Sequence, residues 1–225
     1  MDEGTQPARL IIADDHALLR SGIRSMLAGE PDLEVVGEAA DGLEALDLCR
    51  RLQPDLVLMD VRMPKMDGLA ATRAIKEELP RISIVMVTMQ DDPDYLFEAV
   101  IAGAAGYVLK GATPDQLTEA VRQVLNGEFL LDQRLTIELL RSMADRGRVD
   151  LPSRPEPLAE PLTVRETEIL QLLARGLTNP QIARELVVSP GTVKNHVRHI
   201  IAKLEVSDRT QAAVRAIELG LLTSR

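Results

Sequence analysis

The chain has no tryptophan, and aromatics make up only 2% of its 225 residues. That scarcity argues against the stacking platforms that hold single-stranded nucleic acid. A single cysteine, Cys49, rules out an internal disulfide framework. Within the helical pattern LEALDLCRRL it reads as a small buried apolar residue. No apolar run approaches the roughly 20 residues needed to cross a bilayer. The opening residues MDEGTQPARL are acidic and polar, unlike a secretory signal. Repeats and low-complexity tracts are absent as well. These absences favour the cytoplasm and exclude a membrane partner.

What is present is ordinary globular composition, 45% apolar and 27% charged, at a length that allows one or two domains. The net charge of -9 is unevenly spread. Residues 1–150 hold 27 acidic against 16 basic side chains, and residues 151–225 hold 8 against 10. An acidic first part joined to a slightly basic last part points to two domains with different partners.

In the first part, short apolar runs alternate with amphipathic stretches. The expected strands are Arg9 to Asp14, Leu33 to Ala39, Leu56 to Asp60, Ile82 to Thr88 and Gly106 to Lys110. Continuous Val/Ile/Leu runs suit strands buried on both faces. Five β-α units predict a doubly wound, five-stranded parallel sheet of α/β class with helices on both sides. Its last helix is expected from about Pro114 to Leu125, with Thr113 as N-cap. A further helix is expected over about Asp132 to Met143. The stretch ADRGRVDLPSRPEPLAEP then reads as a linker, rich in Pro and charge and poor in apolar periodicity.

The segment LVLMDVRMPKMDGL ends an apolar strand in Asp60. In open parallel sheets, ligands bind beyond the carboxyl ends of the strands. Asp14 and Asp15, Asp60, Thr88 and Lys110 all fall at such ends. Three converging carboxylates repel one another unless a cation intervenes. Carboxylate and carbonyl oxygens suit Mg²⁺. With the metal in place, Asp60 is left as a nucleophile able to form an acyl phosphate. Thr88 and Lys110 are then placed to contact phosphoryl oxygens. Taken singly, each of these residues is equally well a polar strand end meeting water.

Asp14-Asp15, MDVRMPKMDG, Thr88 and GYVLK together resemble the receiver domain of two-component response regulators. The resemblance covers roughly residues 8–126. It implies that Asp60 is the phosphoacceptor. It also implies that Asp15, Asp60 and the backbone carbonyl of Arg62 ligate Mg²⁺, with Asp14 assisting through water. Tyr107 matches the aromatic switch position, and Pro64 and Gly68 match the turn after the phosphoacceptor. Two residues depart from the common pattern. Met89 stands where many receivers have a small residue, which restricts access to Asp60. Gly111 stands where many have proline, so no cis-proline is expected there.

From Leu162 the pattern is helical only. Thr163 and Glu166 have the spacing of a capping box, and Gly176 is a natural helix stop. Pro180 falls in the first turn of a short helix. The next helix, SPGTVKNHVRHIIAKL, places Val193, Val197 and Ile200 or Ile201 on one face, toward Ile182, Ala183 and Leu186. Lys194, Asn195 and Arg198 lie on another. Two helices joined by a tight turn are a DNA-reading geometry. Lys and Arg suit guanine or phosphate, and Asn suits adenine. Lys203 and Arg209 are expected to contact the DNA backbone. His196 is expected to pack or touch a phosphate and His199 to sit at the surface, although the pair has a spacing that can bind metal. On charge alone, the whole face also reads as a solvated surface of a small bundle.

The stretch from Leu162 to about Ala216 resembles the LuxR/FixJ/NarL-type helix-turn-helix domain, through Glu166, Gly176, Asn179, Thr192, Val193, Lys194, His196, Lys203 and Arg209 among others. By that resemblance Thr192 joins the DNA-binding set. The expected organisation is a receiver at 8–126, a linker helix and Pro-rich linker at 127–161, and the helix-turn-helix domain at 162–225. The two resemblances together imply a NarL/FixJ-family response regulator. In such a protein a sensor histidine kinase phosphorylates Asp60. That event controls dimerisation and sequence-specific binding of double-stranded DNA, with RNA polymerase as a further candidate partner. Ala212, Ala213 and Ala216 in DRTQAAVRAIELG form a candidate dimer face. The resemblance implies a regulator and not an enzyme, beyond accepting a phosphoryl group on its own Asp60. A phosphatase working through aspartyl phosphate is the enzymatic rival. The haloacid dehalogenase type wants an Asp two residues after the nucleophile, where this chain has Arg62. The remaining rival keeps DNA binding and makes the receiver a phosphorylation-independent dimerisation module.

Overall fold

The computed structural model describes residues 6–89, 93–128 and 160–218. The chain divides into two compact units, residues 1–125 and 126–225. The helix expected over 132–143 and almost all of the linker lie outside the described residues.

The first unit is a parallel sheet in the order β2-β1-β3-β4-β5, wrapped by helices. The strands are β1 Ala8–Ala13, β2 Leu33–Ala39, β3 Leu56–Asp60, β4 Ser83–Thr88 and β5 Gly106–Leu109. The helices are α1 Ala17–Leu27, α2 Gly42–Leu52, α3 Gly68–Glu78, α4 Pro93–Ala102 and α5 Pro114–Leu125. This is the expected doubly wound α/β architecture. Every residue of the central strand β3 is buried. Two-sided burial does not extend to the sheet edges, where β2 and β5 are only partly covered.

Strand order reverses between β1 and β3, which opens a crevice at their carboxyl ends. The register aligns those ends. Ala13 pairs with Met59, Asp60 with Val87, and Thr88 with Leu109. Asp14 and Lys110, expected to be the last strand residues, fall one step beyond the pairing and begin the loops.

The second unit is helical: α6 Val164–Ala174, α7 Asn179–Glu185, α8 Pro190–Lys203 and α9 Arg209–Glu218. Thr163 and Glu166 form the expected capping box at the start of α6. Gly176 has φ +77°, the left-handed conformation that closes a helix. Ser189 caps α8, its Oγ accepting from the Thr192 amide at 3.0 Å. Val193, Val197 and Ile200 are buried with Ile182 and Ala183, as their spacing predicts. Burying each contributes roughly 1.5–3 kcal/mol to holding α8 on its scaffold. The alanines of α9 depart from expectation. Ala212, Ala213 and Ala216 are completely buried in the core of this unit, so they are not free to form a dimer face. Small residues let α9 approach α6 closely, and that packing consumes them.

Candidate functional site

Four strand ends meet at one pocket of about 300 Å³ lined by Asp15, Asp60, Thr88 and Lys110, among others. Asp14 and Asp60 are buried, with 1% and 5% exposure. Lys110 Nζ lies 2.7 Å from Asp14 Oδ2 and 2.9 Å from Asp60 Oδ2. Asp15 is more open and faces His16 instead. Burial pushes the Asp60 carboxyl above the ordinary carboxylate range, and the neighbouring Asp14 charge pushes the same way. The bond from Lys110 and the backbone amide of Arg62 oppose this without reversing it. Lys110 is held above its usual range: burial works against its charge, but the bonds to Asp14 and Asp60 prevail.

The Lys110 ammonium answers only part of the charge of three neighbouring carboxylates, which suits a further cation. The donors are hard oxygens of the kind Mg²⁺ prefers. One atom from each of Asp14, Asp15, His16 and Asp60 lies within 4.8 Å of the others. By charge and donor type, the residues fit the ion.

The loop after Asp60 is clamped. A Cβ on Gly68 would stand 1.9 Å from the Asp60 carbonyl oxygen, so only glycine fits. The Gly68 amide donates to the Val61 carbonyl at 2.9 Å. Gly42 plays the same part from α2. Its amide donates to the Met66 carbonyl at 3.1 Å, and a Cβ there would lie 2.6 Å from that oxygen. Asp41, buried at the N-cap of α2, accepts from the Glu44 amide and pairs with Lys65 Nζ at 2.5 Å. The bond from Lys65 holds the Asp41 carboxyl below its ordinary range. Sequence reasoning missed both the Asp41–Lys65 clamp and His16. The clamp joins residues far apart in sequence, whereas His16 was legible as a third donor directly after two aspartates.

Thr88 and Tyr107 are each partly exposed and line one small crevice with Tyr95. Met89, 78% exposed, lies on the wall of the larger pocket.

On the second unit, Thr192, Asn195 and Arg198 are exposed on α8 and Lys194 is partly covered. Lys194 Nζ donates to Asn126 Oδ1 at 3.1 Å. His196 is partly covered and His199 exposed. Two residues expected on the DNA backbone are placed differently. Arg209 is 1% exposed, with its guanidinium on Asn179 Oδ1 and, at 2.5 Å, on the Leu177 carbonyl. Burial pulls its pKa down to about 10. It is a structural tie between α9 and the start of α7, not a surface contact. Lys203 is mostly covered, and its ammonium pairs with Glu160 at 2.9 Å and Glu166 at 3.0 Å. It serves the capping box first.

Comparison with known proteins agrees with both halves of this geometry. Residues 10–122 match the response regulator receiver domain family, and residues 160–216 match the bacterial regulatory proteins of the luxR family. The chain is 41% identical to the transcriptional regulatory protein LiaR of Bacillus subtilis over 208 residues, covering 92% of this chain and 96% of LiaR. It is 39% identical to the response regulator protein VraR of Staphylococcus aureus, covering 95% and 98%. A solved LuxR-family two-component response regulator from Aurantimonas matches with a TM-score of 0.55 at 34% identity, covering 64% of this chain and all of that one. The RcsB response regulator of Salmonella typhimurium matches over 97% of this chain and all of its own, with a TM-score of 0.53 at 26% identity. This chain therefore belongs to the NarL/LuxR family of response regulators, which regulate transcription.

Proposed function

We propose that Asp60 accepts a phosphoryl group from a sensor histidine kinase and that this event controls dimerisation and DNA binding. The observation that carries the reading is the Lys110 ammonium bridging Asp14 and Asp60 at the pocket where the strand ends meet. In the transfer, an Asp60 carboxylate oxygen forms the new O–P bond. The P–N bond of the donor phosphohistidine breaks, and its electron pair leaves on the histidine nitrogen. Lys110 then trades one carboxylate for a phosphoryl oxygen. Thr88, at the tip of β4, donates its hydroxyl to another. Asp15, Asp60 and the Arg62 carbonyl would hold Mg²⁺, with Asp14 assisting through water, and the ion would supply charge neutralisation to the phosphoryl oxygens.

Movement of Thr88 toward the phosphoryl group makes room for Tyr107 to turn inward beside β4 and β5. The surface change there alters contacts with the DNA-binding unit or with a second receiver. Paired α8 helices would then read half-sites about one DNA turn apart, through Thr192, Lys194, Asn195 and Arg198. Double-stranded DNA, the kinase, a second copy of the chain and RNA polymerase are the partners of this scheme, and the cytoplasm is its place.

The test is an intact-mass measurement after incubation with Mg²⁺ and acetyl phosphate. One added phosphoryl group on the wild type, absent from Asp60→Asn, is expected. The same adduct on both proteins overturns Asp60 as acceptor. DNA binding of the two forms, compared next, tests the control step, and equal affinities favour a phosphorylation-independent receiver.

A further inference from the structure

His16 stands directly after Asp14 and Asp15 and has no part in the scheme above. Its backbone is fixed from both sides. The amide donates to Asp14 Oδ1 at 2.8 Å, and the carbonyl accepts from the amides of Leu19 and Arg20 at 3.0 and 3.1 Å. Arg20 adds a bond from Nη1 to the Asp14 carbonyl at 2.6 Å. His16 is therefore the N-cap of α1, yet its side chain does not cap the helix. Ser, Thr, Asp or Asn would serve that position better by about 1 kcal/mol. A local rule broken beside a site is a mark of function.

The imidazole turns to the carboxylates instead. Its Nδ1 lies 2.5 Å from Asp15 Oδ1 and 3.5 Å from Asp14 Oδ1. It also lines the pocket that holds Asp60 and Lys110. Asp14, Asp15 and Asp60 alone make a hard oxygen set. An imidazole nitrogen within the same 4.8 Å cluster changes the metals that set favours. Nitrogen donors add little for Mg²⁺ and much for the later first-row ions Fe²⁺, Co²⁺, Ni²⁺ and Zn²⁺. Because the backbone already holds His16 beside the aspartates, only the side-chain torsions need ordering.

We propose that His16 is a nitrogen ligand that lets this pocket accept a borderline transition-metal ion in competition with Mg²⁺. The proposal rests on the acidic pocket being the metal site, as read above.

Co²⁺ is the probe, with the full chain. Wild type carrying Co²⁺ should show a strongly shifted, solvent-exchangeable imidazole proton by NMR. His16→Ala should lack that proton. Its ratio of Co²⁺ to Mg²⁺ affinity, measured by calorimetric titration, should fall about tenfold. His16→Asn, which restores a capping side chain, should show the same two losses in a securely folded protein. A shifted proton that persists in both variants points to His196 and His199 and overturns the proposal. So does an unchanged affinity ratio. Asp15→Asn and Asp60→Asn separate the two layers. If both bind Co²⁺ and Mg²⁺ as wild type does, the acidic pocket is not the metal site, and the underlying reading fails together with this one.

Discussion

In the α/β unit, the buried carboxylates of Asp14 and Asp60 share one ammonium, and the Asp60 carboxyl is still held above its ordinary range. In the helical unit, the buried Glu166 accepts from the Thr163 amide at 2.8 Å, from the Thr163 hydroxyl at 2.9 Å and from Lys203 at 3.0 Å. Burial works against the Glu166 charge, but these bonds hold its carboxyl below the ordinary range. One unit leaves buried charge incompletely answered, and the other answers it. A buried charge that lacks partners costs stability, whereas one well supplied with hydrogen bonds does not. The contrast separates the pocket proposed above to take a cation and a phosphoryl group from a cluster that holds helices together.

The largest expected effect breaks the second cluster. Arg209→Ala removes the donor to the part-buried Asn179 Oδ1 and Leu177 carbonyl and empties a fully buried side-chain site. It should destabilise the helical unit by about 3 kcal/mol, read from denaturant unfolding. Any loss of DNA binding should follow unfolding. Were Arg209→Ala fully folded but weak in DNA binding, the residue would return to the backbone contacts first expected of it.

Glu166→Ala should cost about 2 kcal/mol, through the lost capping box and the lost bond from Lys203, which keeps Glu160 as its partner. Its pH dependence has a definite sign. The folded carboxyl is lowered, so its contribution is present above the ordinary Glu range and is lost as pH falls through the lowered value. The stability difference between wild type and Glu166→Gln should therefore shrink on acidification. A difference that grows would mean Glu166 is strained rather than satisfied.

Arg198→Ala and Lys194→Ala should leave folding intact and weaken DNA binding by roughly 1–3 kcal/mol if they read bases. Lys194 must first release Asn126, so its loss should be the smaller of the two. Affinity should fall steeply with salt. Unchanged affinity for both variants would remove α8 as the reading helix.

Much of this was legible beforehand, for identifiable reasons. Contiguous apolar runs located β1 to β5, and the rule that parallel sheets bind ligands at their carboxyl ends picked out Asp14, Asp15, Asp60, Thr88 and Lys110. Direction of burial was harder to read. A motif position shows that Arg209 matters, but not whether its guanidinium faces water or the Leu177 carbonyl. Three alanines at helical spacing suit a dimer seam and a close pack on α6 equally well. Asp41 and Lys65 meet only because α2 and the β3–α3 loop are brought together by the fold. His16 was visible but unread, since attention went to the strand ends themselves.

The smallest effect bears most directly on the contrast between the two units. The Asp60 carboxyl is raised in the fold, chiefly by burial. An acid of that kind binds its proton more tightly folded than unfolded. Its ionisation therefore costs stability as pH rises from the ordinary Asp value through the raised one, and the full cost remains above it. Asparagine cannot ionise. Without divalent cations at neutral pH, Asp60→Asn should be slightly more stable than wild type in denaturant unfolding. The gap should close as the solution is acidified below about pH 4. Mg²⁺ should also close it, by stabilising the wild type more than the variant. If wild type is instead the more stable protein without metal, Lys110 answers Asp60 as fully as Lys203 and Thr163 answer Glu166, and the two clusters are alike.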